Sequence, residues 1–248
     1  GANSLDANTT GGDNVAVGTG ALGANTTATN NTAVGHLALT ANTTGAQNTS
    51  IGALAMDAHT TGSNNTSVGY ESLGKSTTGG GNVAIGRAAL LDTTTTSNNV
   101  AVGVEALENN IATGNTAVGY QSLRNNTTGY GNTAFGLDAG KTTTTGAGNV
   151  FIGDISGGGT NGTTTGIGNT FVGYQCESAG TGGNYQIVLG FDLLSVADST
   201  TFTFGRGTGN NRVSNNFDSN ASFARVSDQR YKDEILDNTD CGLDFINA

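Results

Sequence analysis

Proline and tryptophan are absent from all 248 residues, and charged side chains make up only 11%. Basic residues are the scarcest of these. Nine Lys and Arg against nineteen Asp and Glu leave a net charge of −10. With no basic cluster, the chain is a poor partner for nucleic acid or for an anionic membrane surface. No apolar run approaches the ~20 residues that cross a bilayer, so membrane insertion is not expected. No signal-peptide pattern opens the chain. Cysteine is nearly absent too. Cys176 and Cys241 form neither a C-x-x-C pair nor a metal-ligand spacing, so disulfides do not hold this fold. His36 and His59 stand alone, with no second ligand at metal spacing, and no metal or other cofactor is expected.

What the chain has instead is glycine, 41 residues of it, with much Asn and Thr. In an aperiodic chain that composition would mean disorder. Here the glycine is periodic. A unit reading N-[TV]-[AS]-[VI]-G, two variable residues, [AS]-L and a polar N/T-T-T-G run opens on Asn14, Asn31, Asn48, Asn65, Asn82 and Asn99, a period of 17. It continues at Asn115, Asn132, Asn149 and Asn169 in steps of 16, 17, 17 and 20. A fixed period of this length marks a stacked repeat architecture.

Each unit has an internal logic. Positions are counted below from its opening Asn. Position 3 is always large and apolar (Val17, Val34, Ile51 and onward to Val172), and position 1 is Val or Thr. On a strand these two share one face. Between them lies Ala or Ser in eight units, then Phe151 and Phe171. Small residues there predict close approach of another strand or another chain. The invariant Gly at position 4 predicts a tight corner, Leu or Met at position 8 a second apolar anchor, and the Asn/Thr-Thr-Gly run a turn. One unit burying two or three large side chains gains about 1.5–3 kcal/mol for each. Ordering its backbone costs about 1–2 kcal/mol per residue. A lone unit therefore cannot stand, and coils must stack on neighbours and on other chains.

The pattern predicts an all-β chain. Residues 1–183 form a parallel β-solenoid or triple β-helical rod of ~17-residue repeats, and 184–226, denser in large apolar residues, form a terminal β cap. Residues 227–248 read as a short helical stub.

Several chemical motifs dissolve into the repeat. Gly18 to Gly23 matches G-x-G-x-x-G but lacks the strand-to-helix context of a dinucleotide site. The N-x-[ST] matches are the repeat itself. Carboxylates such as Glu105 and Glu108 are scattered and unechoed, so a glycosidase pair is not expected. No Asp recurs after glycine as a calcium roll needs. The Thr runs raise an ice-binding solenoid, but they lie in turns. Tyr70, Tyr120, Tyr130 and Tyr174 sit at variable positions where they can project outward and meet sugar rings or protein partners.

Two resemblances follow. The units, most clearly N-T-A-V-G-Y-Q-S-L-R-N-N-T-T-G (Asn115–Gly129), resemble head repeats of trimeric autotransporter adhesins and repeats of phage tail fibres over roughly residues 8–183. Asn211–Ile235 with Gly242–Ala248 is similar to the junction that opens the endosialidase-type intramolecular chaperone of phage tailspikes and tail fibres. That resemblance implies a homotrimer and a self-cleavage junction between Ser227 and Asp228. There Ser227 is the nucleophile and Lys232 its base. Family members continue well past the point where this chain ends, so residues 228–248 read as a fragment that is not expected to cut itself.

Taken together these imply the receptor-binding distal part of a virion tail fibre. Its partners would be two further copies of itself, a bacterial surface glycan or protein, and other tail proteins on its N-terminal side. The alternatives are a polysaccharide-cutting tailspike and a non-phage trimeric adhesin head, against which Asn211–Ala248 argues.

Overall fold

A computed structural model describes residues 1–159, 164–195, 199–207, 211–216 and 224–225. Within them the chain is all β, a solenoid of about eleven turns with no helix. The first ten strands, from β1 (Val15–Val17) to β10 (Thr170–Val172), have three residues each and stack in parallel, one per repeat, in strict register. Val15 pairs with Thr32, Ala16 with Ala33 and Val17 with Val34, and the same matching recurs at each step. Strands β11 (Ile187–Phe191) and β12 (Thr201–Arg206) continue the parallel ladder. Strand β13 (Arg212–Asn216) then turns back antiparallel on β12, and β14 (Ala224–Arg225) on β13. At about 4.8 Å per coil, the eleven steps from β1 to β12 make a rod on the order of 50 Å long.

The strand faces lie opposite to the way side-chain size suggests. The small residue at position 2 points inward, with Ala33, Ala84, Ala101, Ala117 and Ala134 fully buried. The large residue at position 3 points outward: Val17, Ile51, Phe135 and Ile152 are 55%, 41%, 58% and 42% exposed. The close approach expected at the small residues is real, but the neighbour is the coil's own far side. There Leu22, Leu39, Met56, Leu73, Leu90, Leu107 and Leu123 at position 8 fill a cross-section too narrow for a second large residue. From Leu22 to Leu123 each coil therefore buries one large apolar side chain rather than two or three.

The backbone bends hard to place that side chain. All seven of these residues have φ between 49° and 53°, as does position 6 at 51–59° from Leu37 to Gln175. Left-handed backbone costs a non-glycine residue roughly 1–2 kcal/mol, a cost set against complete burial of the leucine and inter-coil bonds such as Leu39 N to Ala55 O at 3.0 Å. Glycine at position 4 is required twice over. Its φ runs from 124° to 145°, and a Cβ on Gly35 would lie 2.4 Å from the Gly52 carbonyl oxygen. The residue before each opening Asn is also left-handed; there the chain supplies Asn30, Asn64, Asn98 or glycine, which tolerate it, with Asp13 and Gln47 as the two other cases.

The recurring Asn is the frame of the coil. The backbone N–H of each donates to the side-chain Oδ1 of the one before, from Asn31 onto Asn14 at 2.9 Å to Asn169 onto Asn149 at 2.9 Å. In every such coil but the one opened by Asn99, the Nδ2 of this Asn also donates to a carbonyl across the turn, as Asn65 does to Gly79 O at 2.9 Å. A buried amide donates from one atom and accepts at another; a carboxylate cannot donate, and a hydroxyl must do both through a single oxygen.

A second buried polar column lies at position 11. Asn25 donates to Asn8 and Asn42 to Asn25, at 2.8 and 3.0 Å. His59 takes the same place one coil on, fully buried. Its Nε2 lies 2.9 Å from Gly62 O and its Nδ1 3.2 Å from Ser76 Oγ. A carbonyl can only accept, so Nε2 carries the proton and the Ser76 hydroxyl donates to Nδ1. Burial pushes the imidazole below its ordinary pKa of 6.5 and keeps it neutral.

Candidate functional site

Charge is segregated around the coil. From Asn14 to Gly159 every Asp, Glu, Lys and Arg falls five to ten places after its opening Asn, from Asp57 and Glu71 to Lys141 and Asp154. The strand segment carries none, and neither does the Asn/Thr-Thr-Gly edge. The polar corner is thus the one surface on which side chains vary in charge from coil to coil.

Ion pairs stitch this corner together at the coil period. Lys75 Nζ meets Asp92 Oδ1 at 2.6 Å across one coil step. Arg87 bonds Glu105, Gln121 donates to Glu105 at 2.6 Å, and Arg124 Nε lies 2.5 Å from Glu108 and 3.3 Å from Glu105. Hydrogen bonding from Gln121 first, and the two guanidinium groups after it, hold the Glu105 carboxyl below its ordinary pKa against the opposing effect of burial. Glu105 and Glu108, read in sequence as scattered, are therefore the centre of a network. Opposite charges 16 to 18 residues apart carried the signal.

The tyrosines divide. Tyr70, Tyr120 and Tyr174 all follow the strand glycine at position 5 and project from the polar corner, 48%, 48% and 38% exposed. Tyr70 and Tyr120 stand three coils apart, about 14 Å. Tyr130, 65% exposed, lies at position 15 on the turn edge and is not part of this column. One face of Tyr174 is occupied, because its ring stacks on Phe191 at 4.9 Å, and Arg206 lies over the Phe191 ring at 5.6 Å. The Glu71 carboxylate beside it raises the Tyr70 hydroxyl above its ordinary pKa of 10.0.

Beside Tyr70 a cleft of about 350 Å³ opens between three successive coils. Position 9 carries Asp57, Gly74 and Leu91 in turn, and the missing side chain at Gly74 makes the hollow. Leu54 and Leu91 give it apolar walls; Asp57, Glu71 and Lys75 give it polar ones. Desolvation first, with the nearby Glu71 charge adding to it, raises the Asp57 carboxyl above its ordinary 3.8, while backbone hydrogen bonds oppose the rise.

Among the described residues no group of three His, Cys, Asp or Glu side chains could hold a metal ion, and no helix is long and apolar enough to cross a membrane. Cys176 is buried among core residues and its thiol pKa is raised, chiefly by desolvation. Ser227, Asp228 and Lys232, with the whole 227–248 stub, lie outside the described residues. The class of protein defined by these features is the repeat β-solenoid. Comparison with known proteins adds no family to it: no family model matches the chain, and no curated protein or solved structure is significantly similar.

Proposed function

We propose that this chain is a structural and receptor-binding segment of a phage tail fibre, assembled as a homotrimer and attaching a virion to a bacterial surface glycan or protein. The observation that carries the reading is the outward strand face. Val15, Val17, Ile51, Ile85, Phe135 and Ile152 stand 39–58% exposed in one charge-free column along the rod. Contiguous apolar surface on this scale belongs to an interface, and a rod with one such stripe buries it by closing around a rotation axis with copies of itself. The choice of three copies, the virion setting and neighbouring tail proteins on the N-terminal side rest on the repeat and junction resemblances. In such an assembly the apolar stripes turn to the axis and the polar corner faces outward, which assigns receptor contact to that corner and to Tyr70 and Tyr120. Ser227, Asp228 and Lys232 would then be the remnant of the assembly chaperone's cleavage junction, and no enzymatic step is assigned to the rod.

Light scattering of the native protein tests the assembly, with three times 24.7 kDa expected. Ile51→Asp with Ile85→Asp, which places charge in the stripe, should shift that mass to the monomer. A wild-type monomer at micromolar concentration refutes the trimer. Failure of the trimer to sediment with any bacterial surface fraction refutes the receptor role.

A further inference from the structure

We infer that the cleft at Gly74 is a sugar-binding subsite, taking one non-acidic hexose unit, with an amino sugar preferred, against the Tyr70 side of the polar corner. The inference rests on the receptor-binding reading for its biological setting but makes its own chemical prediction. The cleft is at the small end of ligand sites, with room for a single ring. Leu54 and Leu91 offer it an apolar surface, and Asp57 and Glu71 offer carboxylate oxygens that accept from hydroxyl or ammonium groups. Charge sets the preference. The single cation in the lining, Lys75, is already bound to Asp92, which leaves two carboxylates without a compensating cation on the lining. An acidic sugar would be repelled there, and a protonated amine would be held by charge-assisted bonds. Tyr70, next in sequence to the lining residue Glu71, is half exposed, an aromatic ring of the kind that meets sugar rings.

Gly74 opens the site and is also its most informative position. Its backbone lies outside the left-handed region, and a Cβ would stand 3.2 Å from both the Glu71 carbonyl oxygen and Leu91 Cδ1 and 3.6 Å from Asp57 Oδ1. A larger side chain therefore fills the hollow, with a shift of a few tenths of an ångström at the Glu71 carbonyl.

The experiment titrates the intact protein with glucosamine, galactose and glucuronate separately at millimolar concentration, read by saturation-transfer NMR. It is repeated with Gly74→Leu and with Glu71→Gln, after circular dichroism has matched each variant to the wild type. Glucosamine should bind more tightly than galactose, and glucuronate not at all. Gly74→Leu should abolish binding, and Glu71→Gln should weaken glucosamine by about tenfold while changing galactose less. Absence of signal with glucosamine, equal binding of glucuronate, or unchanged binding by Gly74→Leu would each overturn the inference. Attachment to bacteria separates the two readings. If wild type and Gly74→Leu attach equally and neither binds glucosamine, the receptor role stands and the cleft as subsite falls. If neither attaches yet glucosamine binding obeys the pattern above, the cleft stands and the receptor role falls.

Discussion

Where the repeat changes its core, it changes it in pairs. Through Leu123 the coil fills its centre with Ala or Ser at position 2 and Leu or Met at position 8. In the coil opened by Asn149 the two sizes exchange, with Phe151 at position 2 and Gly157 at position 8; the preceding coil already has Gly140 there. The Phe151 ring occupies the space both glycines leave. A Cβ on Gly157 would lie 2.3 Å from Phe151 Cδ1, and one on Gly140 2.5 Å from Cδ2. Phe151 is fully buried and packs on Phe171 at 5.8 Å. Phe151→Ala should therefore cost about 3–5 kcal/mol, which for a chain of this size lowers the melting midpoint by roughly 6–20 °C. Gly157→Leu alone drives a side chain into the ring and should cost at least about 1–3 kcal/mol. Together the two changes restore the small–large pairing of the earlier coils in this one, while the space at Gly140 loses its filler. The Leu must adopt φ near 63°, a cost of roughly 1–2 kcal/mol, but Leu123 already does so at 49°. The double variant should thus lie at least about 1–2 kcal/mol below wild type, yet be more stable than Phe151→Ala alone. Denaturant midpoints followed by circular dichroism at fixed protein concentration give the cycle. Additive single effects, with no coupling beyond ~0.5 kcal/mol, would show that the exchange is not compensatory.

Two further outcomes follow from the buried polar columns. Asn65→Ala orphans the Gly79 carbonyl and the Asn82 N–H that its side chain now satisfies. At about 1–3 kcal/mol per buried unpaired group, denaturant unfolding should show a loss of roughly 2–5 kcal/mol, whereas Thr61→Ala on the exposed edge should stay within about 0.5 kcal/mol. His59 is held neutral in the fold and protonates more readily once unfolded. The unfolded chain therefore binds the extra proton, and stability contributed here is complete above pH 6.5. It declines as pH falls from there toward the lowered folded value, by up to about 1.4 kcal/mol per pH unit. His59→Asn should flatten that decline in urea midpoints between pH 5 and 8, and an unchanged slope would refute the assignment.

The period, the strand at each repeat start and the corner at position 4 were legible in the sequence because each rests on backbone chemistry that few residues satisfy. Only glycine fits against the Gly52 carbonyl, and a side-chain amide donates from one atom and accepts at another as Asn65 does. The direction of the strand faces was not legible. Alternation says which residues share a face but not which face is inside, and residue size argued for the wrong one. Ala33 is inside because Leu39, brought back by left-handed backbone, already fills the interior. The polar corner was half legible. Tyr70 and Tyr120 follow a fixed glycine, but the joining of Arg87 to Glu105 and Arg124 to Glu108 needed the coil period applied to charge. The hollow at Gly74 depends on what stands one period before and after it, which no local motif records.

The coil opened by Asn99 shows what the frame permits. It is one residue short, and the loss is absorbed in the turn, where Asn110 donates to Ala112 O two residues on, while Asn126 donates to Gly129 three residues on. The Asn ladder crosses this step unbroken, Asn115 N to Asn99 Oδ1 at 3.0 Å. Between coils, the frame Asn residues bond to the same position of the neighbouring coil, so a duplicated or deleted unit rejoins the stack without repair elsewhere. Rod length can then change by whole units. The exposed corner positions are free to diverge one substitution at a time, so the reach of the rod and the chemistry it presents can evolve by separate genetic routes.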